Sequence, residues 1–277
     1  MNSKIEINFA RVKASVLLVP AALLLAIVLF LASKKALSVP GYIEFQKPLF
    51  LFLNSRLCLF PNLELNLTQL GDACVFLAIL SIFYLRAPKL WGALLTSSVV
   101  SLIIATTLKS IFKVPRPAAV LDHHYFTIVG KMLKGHNSLP SGHSITIFTM
   151  LTVLFFAFWP RKYKNKIFWV IVFLILGLFL ALTRVGLGAH YPFDVIIGGI
   201  FGFVSGVLGI LINRKYYIWN WIGNRKFYPI FAVLFLGVAV VMVTKLFHEH
   251  MPVFFVALIC LLISLVNVIK AYAKKQN

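Results

Sequence analysis

Charged side chains are scarce in this sequence, acidic ones above all, and cysteine is scarcer still. Only 12% of the 277 residues are charged while 61% are apolar, which excludes a soluble globular domain, because too little polar surface remains to cover it. The three cysteines are Cys58 in the first long loop and Cys74 and Cys260 inside apolar segments. They give neither a disulfide framework nor zinc-ligand spacing. Seven Asp and Glu against 27 Lys and Arg leave a net charge of +20. In a soluble chain that excess points to nucleic acid. Here the basic residues stand in short loops and at the ends of apolar runs, where they set membrane topology, and no nucleic-acid partner is expected.

What is present is a series of apolar runs of the length, about 20 residues, that crosses a hydrocarbon core of roughly 30 Å. Eight spans are predicted, at about residues 14–33, 70–85, 90–107, 143–159, 167–183, 193–212, 229–247 and 252–269. The first is longer than the roughly 7–15 apolar residues of a secretory signal and reads as an uncleaved span. Residues 50–60 form a short apolar stretch in a long loop, expected at the membrane interface.

With the N-terminus cytoplasmic, the inner loops and tails hold 16 of the 27 basic residues, from Lys4 to Lys275, and a single acid, Glu6. The inside-positive bias favours this orientation, with both termini cytoplasmic and the chain in the cytoplasmic (inner) membrane.

Three clusters of polar residues then fall at span ends on the same outer side. They are Lys109 to Pro117, Pro140 to His143, and Thr183 to Asp194. Charge near lipid costs about 2.5–3.5 kcal/mol per group at a helix centre, so such clusters need a purpose. Lys109, Arg116 and Arg184 supply three cations, two of them guanidinium forks suited to paired phosphate oxygens. Ser141 is a candidate N-cap whose helix would aim free N–H groups at an anion, and Gly142 keeps that approach open. His190 and Asp194 are four residues apart, so the carboxylate can reach back to the imidazole and fix its tautomer, freeing Nε2 to attack phosphorus. His143 is then a second histidine, placed to protonate the leaving oxygen.

Each cluster alone has a plainer reading. Lys109 and Lys113 could snorkel, Arg184 could cap a helix C-terminus, Pro140 to Gly142 could be loop punctuation, and His190 with Asp194 a structural pair. None of these explains why all three share one face. Asp122, His123, His124 and His136 in the outer loop lack the fixed geometry of a metal site, and neither metal nor cofactor is expected.

The blocks Lys-x6-Arg-Pro, Pro-Ser-Gly-His and Arg-x5-His-x3-Asp, in this order between Lys109 and Asp194, make the sequence resemble the phosphatidic acid phosphatase type 2 and haloperoxidase superfamily. Thr183 stands where that pattern usually has Ser. The resemblance implies an all-α, polytopic transmembrane bundle with a six-helix phosphatase core at 1–215 and two additional C-terminal spans at 216–277. It implies that His190 is the nucleophile forming a phosphohistidine, Asp194 its partner and His143 the acid. Lys109, Arg116, Ser141, Gly142 and Arg184 would hold the phosphate. The expected reaction is hydrolysis of a phosphate monoester or diphosphate on a membrane lipid, such as undecaprenyl diphosphate, phosphatidylglycerol phosphate, phosphatidic acid or lipid A. A lipid phosphotransferase would use the same residues. An anion transporter is the non-enzymatic alternative.

Overall fold

A computed structural model describes residues 1–274, among which there are helices and no strands. Lys275, counted above with the inner tail, lies outside the described residues. Twelve α-helices follow in order: α1 Asn2–Ala10, α2 Leu18–Ser33, α3 Val39–Leu57, α4 Pro61–Thr68, α5 Ala73–Leu80, α6 Pro88–Phe112, α7 Pro117–Val120, α8 Gly142–Ala157, α9 Tyr163–Gly186, α10 Pro192–Tyr216, α11 Tyr228–Glu249 and α12 Pro252–Ala273. Proline at the first helical position starts α4, α6, α7, α10 and α12, where its missing N–H costs nothing.

Six segments are long and apolar enough to cross a bilayer: Ala14–Ser33, Pro88–Val120, Tyr163–Gly186, Pro192–Tyr216, Arg225–Glu249 and Pro252–Ala273. Their outward side chains, among them Leu25, Leu102 and Val233, form apolar surface of the kind a soluble monomer does not carry. Two of the eight expected spans take a different form. The span expected at 70–85 is broken: Pro61–Gly71 and Ala73–Phe83 meet at an angle of 79°, because Asp72 ends one helix and N-caps the next by accepting from the Cys74 N–H at 2.8 Å. The span expected at 143–159 is only the 16-residue α8, which stops at Phe158, ahead of Pro160.

The stretch expected as an interfacial part of a loop is also different. Residues 39–57 are one helix, α3, with Tyr42, Gln46, Phe50 and Asn54 buried along one stripe at a spacing of four. Three of these four are polar, and all of them face the protein.

The centre of the bundle is α10, packed between α8 and α6 at backbone contact distance. A Cβ on Gly202 would stand 2.5 Å from the Ile145 carbonyl oxygen, and one on Gly209 would stand 2.0 Å from Ser97 Oγ, so only glycine allows this approach. The helix pair α11–α12 packs on α5 through a second apolar cluster containing Val75, Tyr84, Trp91, Phe235 and Phe254.

The bundle has two distinct polar ends. At one, Asn8 donates to the Ala157 carbonyl at 3.0 Å, Arg214 holds the carbonyls of Phe9, Ala10 and Val12, and Arg225 caps α12 at Tyr272. The N-terminus and the end of α12 therefore share this end. The opposite end gathers the exit of α6, the entry of α8, the exit of α9 and the entry of α10, where all three polar clusters lie.

Candidate functional site

The three clusters, up to 85 residues apart in sequence, are tied to one another by hydrogen bonds. The Ser141 N–H donates to the Asp194 carbonyl at 3.0 Å, joining the second cluster to the third. Arg116 Nη1 reaches the Ala189 carbonyl at 3.4 Å, joining the first to the third. Lys109 Nζ lies 3.1 Å from where a Cβ on Gly142 would be, so the lysine crosses the entry of α8 and glycine leaves it room. His143 is close enough to Arg184, His190, Lys109 and Arg116 to feel the charge of each.

Local structure explains how each group is presented. Ser141 is the N-cap of α8, its Oγ accepting from the Ser144 N–H at 3.4 Å and from the Ser144 hydroxyl at 2.9 Å. The first N–H groups of a helix have no intrahelical acceptor, so the start of α8 offers donors and a positive dipole end beside Lys109. Helix α10 starts at Pro192, which leaves His190 in the loop before it. Asp194 sits in the first turn, reaching back to the Tyr191 N–H at 3.0 Å. His190 is held by its own N–H, which donates to the Arg184 carbonyl.

The Asp194 carboxylate is fully buried and is the most heavily bonded group here. Oδ2 accepts from Ser138 Oγ at 2.5 Å and Oδ1 from the Tyr42 hydroxyl at 2.8 Å. His190 Nδ1 is 3.5 Å from Oδ2 and 3.4 Å from Ser138 Oγ. The two-residue pair read from the spacing is thus a buried group of four, with Ser138 between carboxylate and imidazole.

His190 itself is 1% exposed, and burial together with the charges of Arg116, Arg184 and Lys109 pushes its pKa well below the ordinary histidine value. The ring is therefore neutral at neutral pH, with a lone pair on one nitrogen.

The two arginines are 8% and 7% exposed, and neither uses all of its guanidinium donors within the protein. Arg116 Nε donates to Asn137 at 2.8 Å, and Arg184 Nη1 donates to Thr68 Oγ1 at 3.0 Å while its Nε is buried without a protein partner. Guanidinium donors thus remain for an anion. Thr183 does not join them, since its hydroxyl is committed to the Leu180 carbonyl within α9. His123 bonds the Ala118 carbonyl, and His124 and His136 are exposed on the loop. Among the described residues no group of three His, Cys, Asp or Glu stands together.

A groove of about 450 Å3 leaves the site beside Lys109, Gly142 and His143 and runs along α6 and α8 past Ser101, Leu102 and Ile145, lined mostly by apolar surface.

Several residues of the site have no counterpart among those singled out in the sequence. Tyr42 and Ser138 hold Asp194, Asn137 and Thr68 hold the arginines, and Gln46 caps α10 by accepting from the Phe193 N–H at 2.7 Å. Asn54 donates to the carbonyls of Thr127, Val185 and Gly186 and accepts from the Thr127 N–H, locking the outer loop to the last turn of α9, just ahead of the loop that carries His190. The signal that could have found the α3 residues is the i, i+4 spacing of Tyr42, Gln46, Phe50 and Asn54 on one helix face.

Comparison with known proteins finds similarity over the same part of the chain. The chain is 35% identical over 128 residues to a lipid A 1-phosphatase of Rhizobium etli, and 36% identical over 131 residues to one of Rhizobium johnstonii. These alignments cover 44% and 45% of this chain, which spans about half the length of either relative. The crystal structure of Aquifex aeolicus LpxE superposes with a TM-score of 0.50 at 23% identity, covering 60% of this chain and 95% of that one, and so shares the fold. The sequence model of the PAP2 superfamily matches residues 90–218, which takes in all three polar clusters. Residues 90–218 thus resemble the PAP2 superfamily.

Proposed function

We propose that this protein is a membrane-embedded phosphatase that removes a phosphate from a lipid by way of a phosphohistidine at His190. The observation that carries the reading is the convergence of Lys109, Arg116 and Arg184, none with a carboxylate bound directly among the described residues, around a buried histidine and next to a second one. Three cations with spare donors fit a phosphate dianion and the further charge its oxygens develop during transfer.

In the first step His190 Nε2 attacks phosphorus, the bond to the lipid oxygen breaks, and His143 gives that oxygen its proton. Asp194, with Ser138 and Tyr42, fixes the His190 ring through Nδ1 and offsets the positive charge it gains. In the second step water attacks the phosphohistidine, His143 takes the proton lost by that water, and inorganic phosphate leaves. The start of α8 adds Ser141 and the Gly142 backbone to the phosphate cradle.

The apolar groove beside His143 supports a lipid substrate, because an alkyl chain can lie along α6 and α8 while its phosphate reaches the cations. The relatives' activity favours lipid A 1-phosphate among the candidate substrates. The basic residues gathered at the opposite end support placing the site on the outer face of the cytoplasmic membrane.

The test is phosphate release by the detergent-purified chain from a panel of lipid A, phosphatidic acid, phosphatidylglycerol phosphate and undecaprenyl diphosphate, with chelator present. Release from lipid A that is abolished in His190→Ala is the expected result. Full activity in that variant would overturn the mechanism, and phosphate appearing on an acceptor lipid instead of in solution would make the protein a phosphotransferase.

A further inference from the structure

Beside the site lies a second pocket, of about 430 Å3, that includes Arg184 and Ala189 but neither histidine. Its size falls within the roughly 300–1,000 Å3 typical of small-molecule sites. Its walls come from three separate parts of the chain: Thr68 and Gln69 at the helix break, the outer loop at Lys131, and Glu249 with Met251 at the turn between α11 and α12.

Each wall is fixed in place. The loop is held by the Val129 N–H on the Leu187 carbonyl at 3.3 Å and by the Asn54 junction at Thr127. The α11–α12 turn is held by Lys245, which pairs with Asp72 at 2.7 Å, and by the Val253 N–H on Asn66 at 3.3 Å. Three charged residues line the pocket: Arg184, already assigned to the phosphate, and the opposite pair Lys131 and Glu249, neither of which takes part in an ion pair among the described residues.

We propose that this pocket is a head-group subsite for a lipid whose phosphate is carried on a polyhydroxylated, sugar-like group, and that Lys131 and Glu249 select it. The inference rests on the phosphatase reading and narrows its substrate class. A carboxylate this near a phosphate site disfavours a second anion but accepts well from hydroxyls, while an ammonium donates to them. Only a group that both donates and accepts satisfies the two walls together. Gln69 offers both functions, and Thr68, which accepts from Arg184, keeps its own proton to give. A phosphatidic acid, with nothing polar beyond its phosphate and ester groups, leaves both charges unused. The C-terminal helix pair thus gains a role, since it carries Glu249 to the site.

The experiment compares kcat/KM for an acylated glucosamine 1-phosphate with that for dioleoyl phosphatidic acid, in wild type, Lys131→Met and Glu249→Gln. Both residues are exposed, and Glu249→Gln keeps the side-chain shape. The expected result is a wild type that prefers the sugar lipid, with that preference falling roughly tenfold in each variant as a charge-assisted hydrogen bond is lost. A preference ratio unchanged in both variants, or no preference in the wild type, overturns the subsite and leaves the phosphatase reading standing. A wild type that releases phosphate from no lipid overturns that reading and the subsite with it.

Discussion

The Ser138 hydroxyl donates to Asp194 Oδ2 at 2.5 Å and stands 3.4 Å from His190 Nδ1, wedged into a pair whose own separation is 3.5 Å. The serine thereby helps decide where the imidazole points. Removing one donor from a buried carboxylate costs about 1.5–3 kcal/mol. Ser138→Ala is expected to lower kcat at least about tenfold with KM nearly unchanged, because it loosens the nucleophile and leaves the phosphate cradle intact. Steady-state kinetics on the best lipid substrate checks this, and an unaltered kcat would remove Ser138 from the mechanism.

The pH dependence follows from His190. Its pKa is lowered by burial and then by Arg116, Arg184 and Lys109, so the reactive neutral form exists above the lowered value and is lost as pH falls through it. The acid limb of kcat/KM, which reports the free enzyme, is expected below the ordinary histidine value of about 6.5. Lys109→Met removes one of the depressing charges and should move the limb towards higher pH in its residual activity. A wild-type limb above 6.5 would contradict the assignment.

Gly71 packs against His143, the proposed acid. A Cβ there would fall 2.7 Å from Cβ and Cδ2 of His143, closer than atoms pack, and Gly71 precedes the helix break at Asp72. Gly71→Ala is expected to push the ring off its position. The loss should be largest for lipids with poor leaving groups, which depend most on protonation, and small for an aryl phosphate. Equal losses on both would mean that His143 is not the acid.

Asn54 carries stability as well as position. Asn54→Ala would take its donor from the Gly186 carbonyl and one of two from the Val185 carbonyl, which keeps the Gly188 N–H, at about 1–3 kcal/mol for a buried group left unsatisfied. The expected outcome is a melting temperature lower by several degrees in detergent and a drop in activity. Asn54→Asp would not restore either, because it lacks the amide donors.

Much of this arrangement is legible along the chain. Length of apolar run predicts six of the helices that can span a bilayer, because that signal is local and cumulative. The alternation of span ends places Lys109, Arg116, Ser141, His143, Arg184 and His190 at one end of the bundle, since each crossing reverses direction. Where local chemistry interrupts an apolar run, length misleads. Asp72 splits the expected second span, and residues expected in a loop form helix α3, which buries Tyr42, Gln46 and Asn54 on one face.

The sequence by itself determined that the chain belongs in a bilayer and that the residues proposed to bind phosphate come from three helix ends on one side, because hydropathy and spacing are properties of neighbouring residues. Only the tertiary structure decided that Tyr42 and Ser138 hold Asp194, that Thr68 anchors Arg184, and that Lys131 and Glu249 face one pocket. Those residues lie between 56 and 152 positions apart, separations that no period encodes, and they are brought together by the packing of the whole bundle, in which glycines on α10 let α6 and α8 close to backbone contact.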